Sequence, residues 1–180
     1  NRNKKGFFSY IEDYLINRIN GVVVTSPSFI NLIKSPKQFN KNIPYYVIEN
    51  KVNASLQRPY FNFPEKDKQI KKIRIGLIGF LRYKVPISRI INFVKENQDH
   101  YELHCWGDGQ YKDIVLNNLS DSIFFYGSFK NPDQLEEIYS LIDLNYTVYG
   151  GENKTEIGVS HALPNKYYES AFFHIPIICR

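Results

Sequence analysis

The chain of 180 residues has no methionine, a single tryptophan and only two cysteines. A complete reading frame opens with Met, and this chain also stops at Arg180, directly after an apolar strand-like run. Both features predict a segment of a longer protein. Two cysteines cannot build the disulfide framework of a small secreted domain. Cys105 and Cys179 each sit in an apolar run, which predicts buried, unlinked thiols in a reducing compartment. No apolar run approaches the roughly 18 residues needed to span a bilayer, and no signal peptide is recognisable. The expected location is therefore the cytoplasm. Internal repeats and low-complexity tracts are absent. Basic residues are scattered without an aromatic–basic rhythm, so no nucleic acid partner is expected.

What is present describes a globular α/β chain. Hydrophobic residues make up 43% and aromatics 16%, enough to bury a core at this length. The formal net charge of +5 suits an anionic ligand, a phosphate or an acidic membrane face, and is also common among soluble domains. Residues 7–19 place Phe8, Ile11, Leu15 and Ile19 on one helical face. A strand at Val22 to Val24, a helix over 27–34 opened by Ser26-Pro27, and a strand from Tyr45 to Ile48 follow. The stretch 50–70 holds Pro59 and Pro64 and little periodicity, as a linker would.

From Lys71 the alternation is regular. Strands are expected at 73–78, 101–106, 123–125, 144–148 and 175–179. Between them lie a helix carrying Ile87, Ile90, Ile91 and Val94, a second over 110–119, and a third with Leu135, Ile138, Tyr139 and Ile142. The third has Asn131 as cap, Pro132 at its first position and Gln134 set for a capping box. A fourth helix opens at Pro164. Strands separated by helices imply a parallel sheet with right-handed crossovers. The expected division is 1–50, a linker over 51–70, and an α/β unit over 71–180.

Ligands of open parallel sheets bind beyond the carboxyl ends of the strands. Those ends are followed here by Gly79 to Lys84, by Gly107-Asp108-Gly109, by Tyr126-Gly127-Ser128 and by the loop 149–163, after which the helix opens with Pro164-Asn165-Lys166. The amides of a helix's first turn lack intrahelical acceptors and face an anion favourably. Lys166 adds a full charge to that turn, and Arg82 and Lys84 can face the same point. Together they suit a diphosphate held without a metal ion. Glu169, one turn on, can accept hydrogen bonds from both hydroxyls of a ribose. Plainer readings stand beside these. Gly107 and Gly109 suit a tight turn, Arg82 and Lys84 solvated loop charges, and Lys166 with Glu169 an exposed i,i+3 ion pair. His104 suits a packed core position, Trp106 core or rim, and His161 and His174 loop or cap positions.

The block Leu163-Pro164-Asn165-Lys166-Tyr167-Tyr168-Glu169-Ser170-Ala171, followed by Ile175-Pro176-Ile177-Ile178, resembles the signature of family-4-type bacterial glycosyltransferases, a P-N-K-x-Y-E pattern followed by a small-residue turn and P-hydrophobic-hydrophobic. Tyr126-Gly127, Asp143 ahead of a strand, and the loop Gly79 to Lys84 with its arginine displaced to 82 are similar to the same family. The head of the chain, with Val22 to Ser26 and Asn50, resembles the end of the amino-terminal lobe. The resemblance implies a two-lobed, Rossmann-like GT-B fold, with 1–50 closing the acceptor-side lobe and 71–180 forming the nucleotide-sugar lobe. It implies transfer of a sugar from a nucleotide-diphosphate sugar to a glycan or lipid-linked acceptor in polysaccharide synthesis, with retention and no metal or cofactor. It admits peripheral contact with the inner face of the cell membrane. Arg82, Lys84, Asn165 and Lys166 would then hold the diphosphate and Glu169 the ribose. Backbone at Tyr126 and Gly127 would meet the base, with Gly79, Gly107 and Gly109 supporting the loops. His161 stands where relatives carry a glutamate near the donor sugar, and His174 where they carry glycine. The isolated chain is expected to be inactive.

Other readings remain at this stage. A nucleotide-sugar epimerase shares the lobe, and a non-catalytic binding or scaffold lobe would need no chemistry. A dinucleotide-binding oxidoreductase is disfavoured, because Gly76 and Gly79 do not form G-x-G-x-x-G and Trp106-Gly107 replaces the acidic residue at the end of the second strand.

Overall fold

The computed structural model describes residues 11, 14–15, 18–34, 43–52, 72–148 and 164–179, with 31–34 described by their helical backbone. The chain divides into two compact units, one ending at Asn50 and one starting at Lys51. In the first, β1 (Val22–Val24) and β2 (Tyr45–Val47) pair in parallel, Val22 opposite Tyr45, around the connecting helix α1 (Pro27–Lys34). Ser26 starts that helix: its buried Oγ accepts from the Ser28 amide at 3.3 Å, as a capping serine does. Of the helix expected over 7–19, residues 11, 14 and 15 are helical and the remainder, apart from 18 and 19, lies outside the described residues.

The second unit is a five-stranded parallel sheet. Its strands are β3 (Ile73–Ile78), β4 (Tyr101–Trp106), β5 (Ile123–Phe125), β6 (Leu144–Thr147) and β7 (Ile177–Cys179), and their spatial order is β5-β4-β3-β6-β7. Crossovers run through α2 (Lys84–Glu96), α3 (Lys112–Leu116), α4 (Leu135–Ser140) and α5 (Asn165–Phe172). The two faces of the sheet carry separate cores. On one, Ile75, Leu103, Cys105 and Ile123 pack against Ile87, Ile90, Ile91 and Val94 of α2 and Val115 of α3. On the other, Ile78 and Trp106 pack against Leu135, Ile138 and Tyr139 of α4, with Ile142 and Phe173. Successive strand residues point to opposite faces, so Cys105 and Trp106 serve different cores. Asp143 sets the register of β6 on β3. Its carboxylate accepts from the Arg74 amide and guanidinium, each at 3.0 Å, and its own amide donates to the Arg74 carbonyl at 2.8 Å.

Several local expectations are corrected. Asn131 and Pro132 lie in a turn, and α4 starts at Leu135 rather than at Pro132. Gln134 does reach back, but its Oε1 accepts from the Lys130 amide at 2.8 Å rather than from Asn131. The helix expected over 110–119 is confined to 112–116, and the last strand starts at Ile177. Cys179 is exposed, because β7 is an edge strand, whereas Cys105 is buried between β3 and β5. No helix among the described residues is long and apolar enough to cross a membrane.

Burial pushes the Cys105 thiol far above its ordinary range, so it stays protonated and unreactive. A disulfide-exchange reagent applied to the folded chain should therefore modify Cys179 quickly and Cys105 only after denaturant is added. Equal fast labelling of both would contradict the core assignment.

Candidate functional site

The sheet order reverses between β3 and β6. The chain winds from β3 outward to β5, then returns to lay β6 on the other side of β3. In an open parallel sheet a crevice lies at the carboxyl ends of the strands at such a reversal point. A cleft of about 360 Å³ occupies that position. Its floor is formed by Ile78 at the end of β3, Gly79 just after it, and Tyr146 and Thr147 from β6, and one wall by Leu81, Arg82 and Tyr83. The opposite wall is Asn165, Lys166 and Glu169 from the first turns of α5, with Phe129 and Asn131 reaching in from the loop after β5.

Three loops make the rim, stitched together by backbone hydrogen bonds. The Gly79 amide donates to the Trp106 carbonyl at 2.8 Å, Leu81 to Asp108 at 2.8 Å, and Gly107 to Gly127 at 2.7 Å. Such close approach leaves no space for side chains at two positions. A Cβ on Gly107 would stand 1.8 Å from the Gly79 oxygen, and one on Gly109 2.7 Å from the Leu81 oxygen, with φ of +140° and +147° besides. Gly107 and Gly109 thus act as rim supports and do not line the cleft.

The Lys166 ammonium lies 2.6 Å from Glu169 Oε2, and both residues are buried, at 7% and 5% exposure. Of the two sequence readings of this turn, the plainer one, an exposed i,i+3 pair, is overturned: both residues are buried and the turn faces the crevice. The Tyr139 hydroxyl donates to the same Oε2 at 3.1 Å. Asn145 Nδ2 donates to Tyr139 at 3.3 Å and to Ser170 Oγ at 2.7 Å. The Lys166 ammonium also stands 5.1 Å from the centre of the Phe129 ring, a cation–π distance. The stem of Lys166 passes close to Gly79. At the opening of α5, Pro164 is the cap residue, so the Asn165 and Lys166 amides carry the unfilled donor capacity of the first turn. Arg82 is exposed on the facing loop, its guanidinium 5.2 Å from the Phe80 ring.

The structure thus brings Gly79, Arg82, Asn165, Lys166 and Glu169 round one cleft. Lys84 is the exposed first residue of α2 and does not line it. Tyr126 and Gly127 stand on the rim beyond the cleft lining. Tyr126 stacks on Trp106 at 4.5 Å, and its hydroxyl meets His104 Nδ1 at 2.9 Å. His104 is indeed packed, with Nε2 3.2 Å from Glu102. His161 lies outside the described residues, as does the loop 149–163. His174 adopts φ 55°, in the left-handed region where glycine is usual.

Four residues at or behind the cleft are not marked as site residues by the sequence. Phe129 and Asn131 follow Tyr126-Gly127 in the same loop, and their place after a strand was the available signal. The sequence pattern marks Tyr139 only as part of an apolar stripe. Thr147, 5% exposed, lines the cleft with its Oγ1 unpartnered among the described residues. Among those residues, no cluster of His, Cys, Asp and Glu is placed to hold a metal ion. Chemically, the cleft offers two cationic side chains and a helix amino terminus to an anion, and a fixed carboxylate to hydroxyl groups.

Comparison with known proteins bears on the fold. No family model matches the chain. An uncharacterized protein of Acanthamoeba polyphaga mimivirus is 26% identical over 135 residues, covering 68% of this chain and 17% of that protein. A mutant of TarM from S. aureus, solved with fondaparinux, α-GlcNAc-glycerol and UDP, superposes with a TM-score of 0.61 at 20% identity, over 99% of this chain and 34% of its own. The pneumococcal O-GlcNAc transferase GtfA, solved with UDP and GlcNAc, gives 0.61 at 13% identity, over 97% and 32%. These neighbours are GT-B glycosyltransferases, and the parallel sheet with helices on both faces is a GT-B-type Rossmann-like fold. The chain spans about a third of the solved structures it matches and 17% of the curated relative.

Removing one member of a buried ion pair strands the other. Glu169→Ala should destabilise the fold by about 3 kcal/mol, and Lys166→Met combined with Glu169→Gln by less, in urea unfolding. A change below about 0.5 kcal/mol for Glu169→Ala would return the pair to the class of ordinary surface contacts.

Proposed function

We propose that this chain contributes the donor-nucleotide lobe of a glycosyltransferase, and that the intact protein moves a sugar from a nucleotide-diphosphate sugar to the hydroxyl of a glycan or lipid-linked acceptor. The observation that carries the reading is the convergence of Arg82, Lys166, the α5 amino terminus and Glu169 on the crevice at the sheet's reversal point. In such a transfer the bond from the sugar's anomeric carbon to the diphosphate breaks, and its electron pair leaves with the diphosphate oxygen. The developing negative charge is stabilised by preorganised donors aimed at it. Arg82, Lys166 and the amides of Asn165 and Lys166 supply them, with Lys84 adding charge at the same rim. Glu169 takes the ribose hydroxyls, and Phe129 and Asn131 lie within reach of the base. Retention of configuration, independence of a metal ion, a role in surface polysaccharide synthesis and a place in the cytoplasm against the membrane's inner face are further parts of this proposal. They rest on the P-N-K-x-Y-E resemblance. The presence of UDP in two fold neighbours makes uridine diphosphate the first ligand to try.

Calorimetric titration with UDP, GDP, ADP and NAD tests the reading. One nucleoside diphosphate should bind, and Lys166→Met should weaken it by about tenfold or more, as loss of a charge-assisted contact does. Preference for NAD, or no binding of any of the four, would overturn the proposal.

The 180-residue chain by itself should bind nucleotide without transferring sugar, because transfer needs both walls of a cleft to align donor and acceptor. Sugar transfer by the isolated chain, followed with a radiolabelled donor, would refute that division of labour.

A further inference from the structure

We propose that Tyr139 is a positioning residue for the nucleotide donor, acting through Glu169, an inference that rests on the functional reading above. Tyr139 is 1% exposed and does not line the cleft, so it cannot touch a ligand. Its hydroxyl nonetheless ends on the carboxylate that does line it, 3.1 Å from Glu169 Oε2.

The direction of each bond is fixed by chemistry. An ionised carboxylate only accepts, so the tyrosine proton is given to Glu169. The tyrosine oxygen then accepts from Asn145 Nδ2, whose other proton goes to Ser170 Oγ. The chain therefore runs one way, from Asn145 through Tyr139 to Glu169. Two donors, Tyr139 and Lys166, meet Oε2, and no hydrogen bond among the described residues reaches Oε1. Held by one oxygen from two directions, the carboxylate cannot rotate freely. Oε1 is left as its acceptor for a ligand hydroxyl.

The network has a feature that stability alone does not account for. Asn145 is fully buried, and its Oδ1 has no partner among the described residues. A buried polar atom left unpaired is costly, and an apolar core would fill this space without it. Holding Glu169 in one orientation gives the polar chain a purpose.

The test compares UDP with 2′-deoxy-UDP on the full chain by calorimetry. Tyr139→Phe keeps the ring that stacks on Phe173 at 4.7 Å and removes only the hydroxyl. It should weaken UDP binding by about tenfold, the deoxy analogue much less, and 4-aminophenylalanine at 139 should restore UDP affinity. In a Glu169→Gln background, Tyr139→Phe should cause no further loss. Melting curves accompany each variant. Should the Phe variant melt below the assay temperature, 4-fluorophenylalanine, close in shape to tyrosine but without the proton, replaces it in the same comparison. UDP binding unchanged by loss of the hydroxyl overturns the role of Tyr139 while the nucleotide site stands. Equal losses for both ligands, or a further loss in the Glu169→Gln background, overturn it by marking a general packing role. Failure of the unaltered chain to bind UDP, GDP or ADP overturns the nucleotide reading and this role together.

Discussion

Two opposite charges are held inside the protein at the mouth of α5, and much of the surrounding architecture offsets the cost of keeping them there. Removing an ammonium and a carboxylate from water is unfavourable unless their pairing is close and the remaining acceptor capacity is met. The Lys166–Glu169 contact at 2.6 Å answers the first demand and Tyr139 part of the second. Both charges face a cleft and not a sealed core, so an anion and a hydroxyl-bearing ligand can complete what the protein leaves open. A ligand's diphosphate would compete with Glu169 for Lys166, and its hydroxyls would compensate Glu169 in return. Under the proposed nucleotide reading, the pair holds in the cleft the two charges that a diphosphate and a ribose would engage.

That arrangement depends on topology as much as on residue type. Because β6 returns to the far side of β3, α5 begins directly across the crevice from the loop that carries Arg82. Asp143, clamped to Arg74 at the other end of these two strands, fixes their register and so fixes how far Thr147 and Gly79 stand from each other at the cleft floor. The helix dipole then contributes wherever α5 points, at no side-chain entropy.

Strand and helix identities in the second unit were legible from periodicity, since the short runs Ile73–Ile78 and Tyr101–Trp106 end at glycine-bearing loops and alternate with helical apolar stripes. The rim was legible too, from the rule that ligands gather at strand ends. What failed was anything depending on neighbours. Which strand lies at an edge is not written in its own residues, hence the wrong burial of Cys179. Which side of α5 meets the crevice is not written in the i,i+3 spacing, hence two sequence readings of Lys166 and Glu169, of which the exposed pair fails. Tyr139 satisfied the apolar pattern with its ring while its hydroxyl served another purpose, and a binary pattern cannot separate the two. The start of α4 was missed because the cap signal at Asn131 and Gln134 is used one residue earlier, at Lys130.

The rim loops are joined by main-chain atoms at glycines, and their side chains take little part in the joining. Phe80, Arg82 and Ser128 project from this frame and are exposed, whereas Gln110 donates to the Arg82 carbonyl and belongs to the frame. Geometry and chemistry are therefore divided between different positions of the same loops. Such a division lets the surface facing a ligand be rewritten, by drift or by design, while the frame that presents it stays the same. A library restricted to the projecting positions, leaving the glycines alone, would explore altered ligand preference with most members still folded.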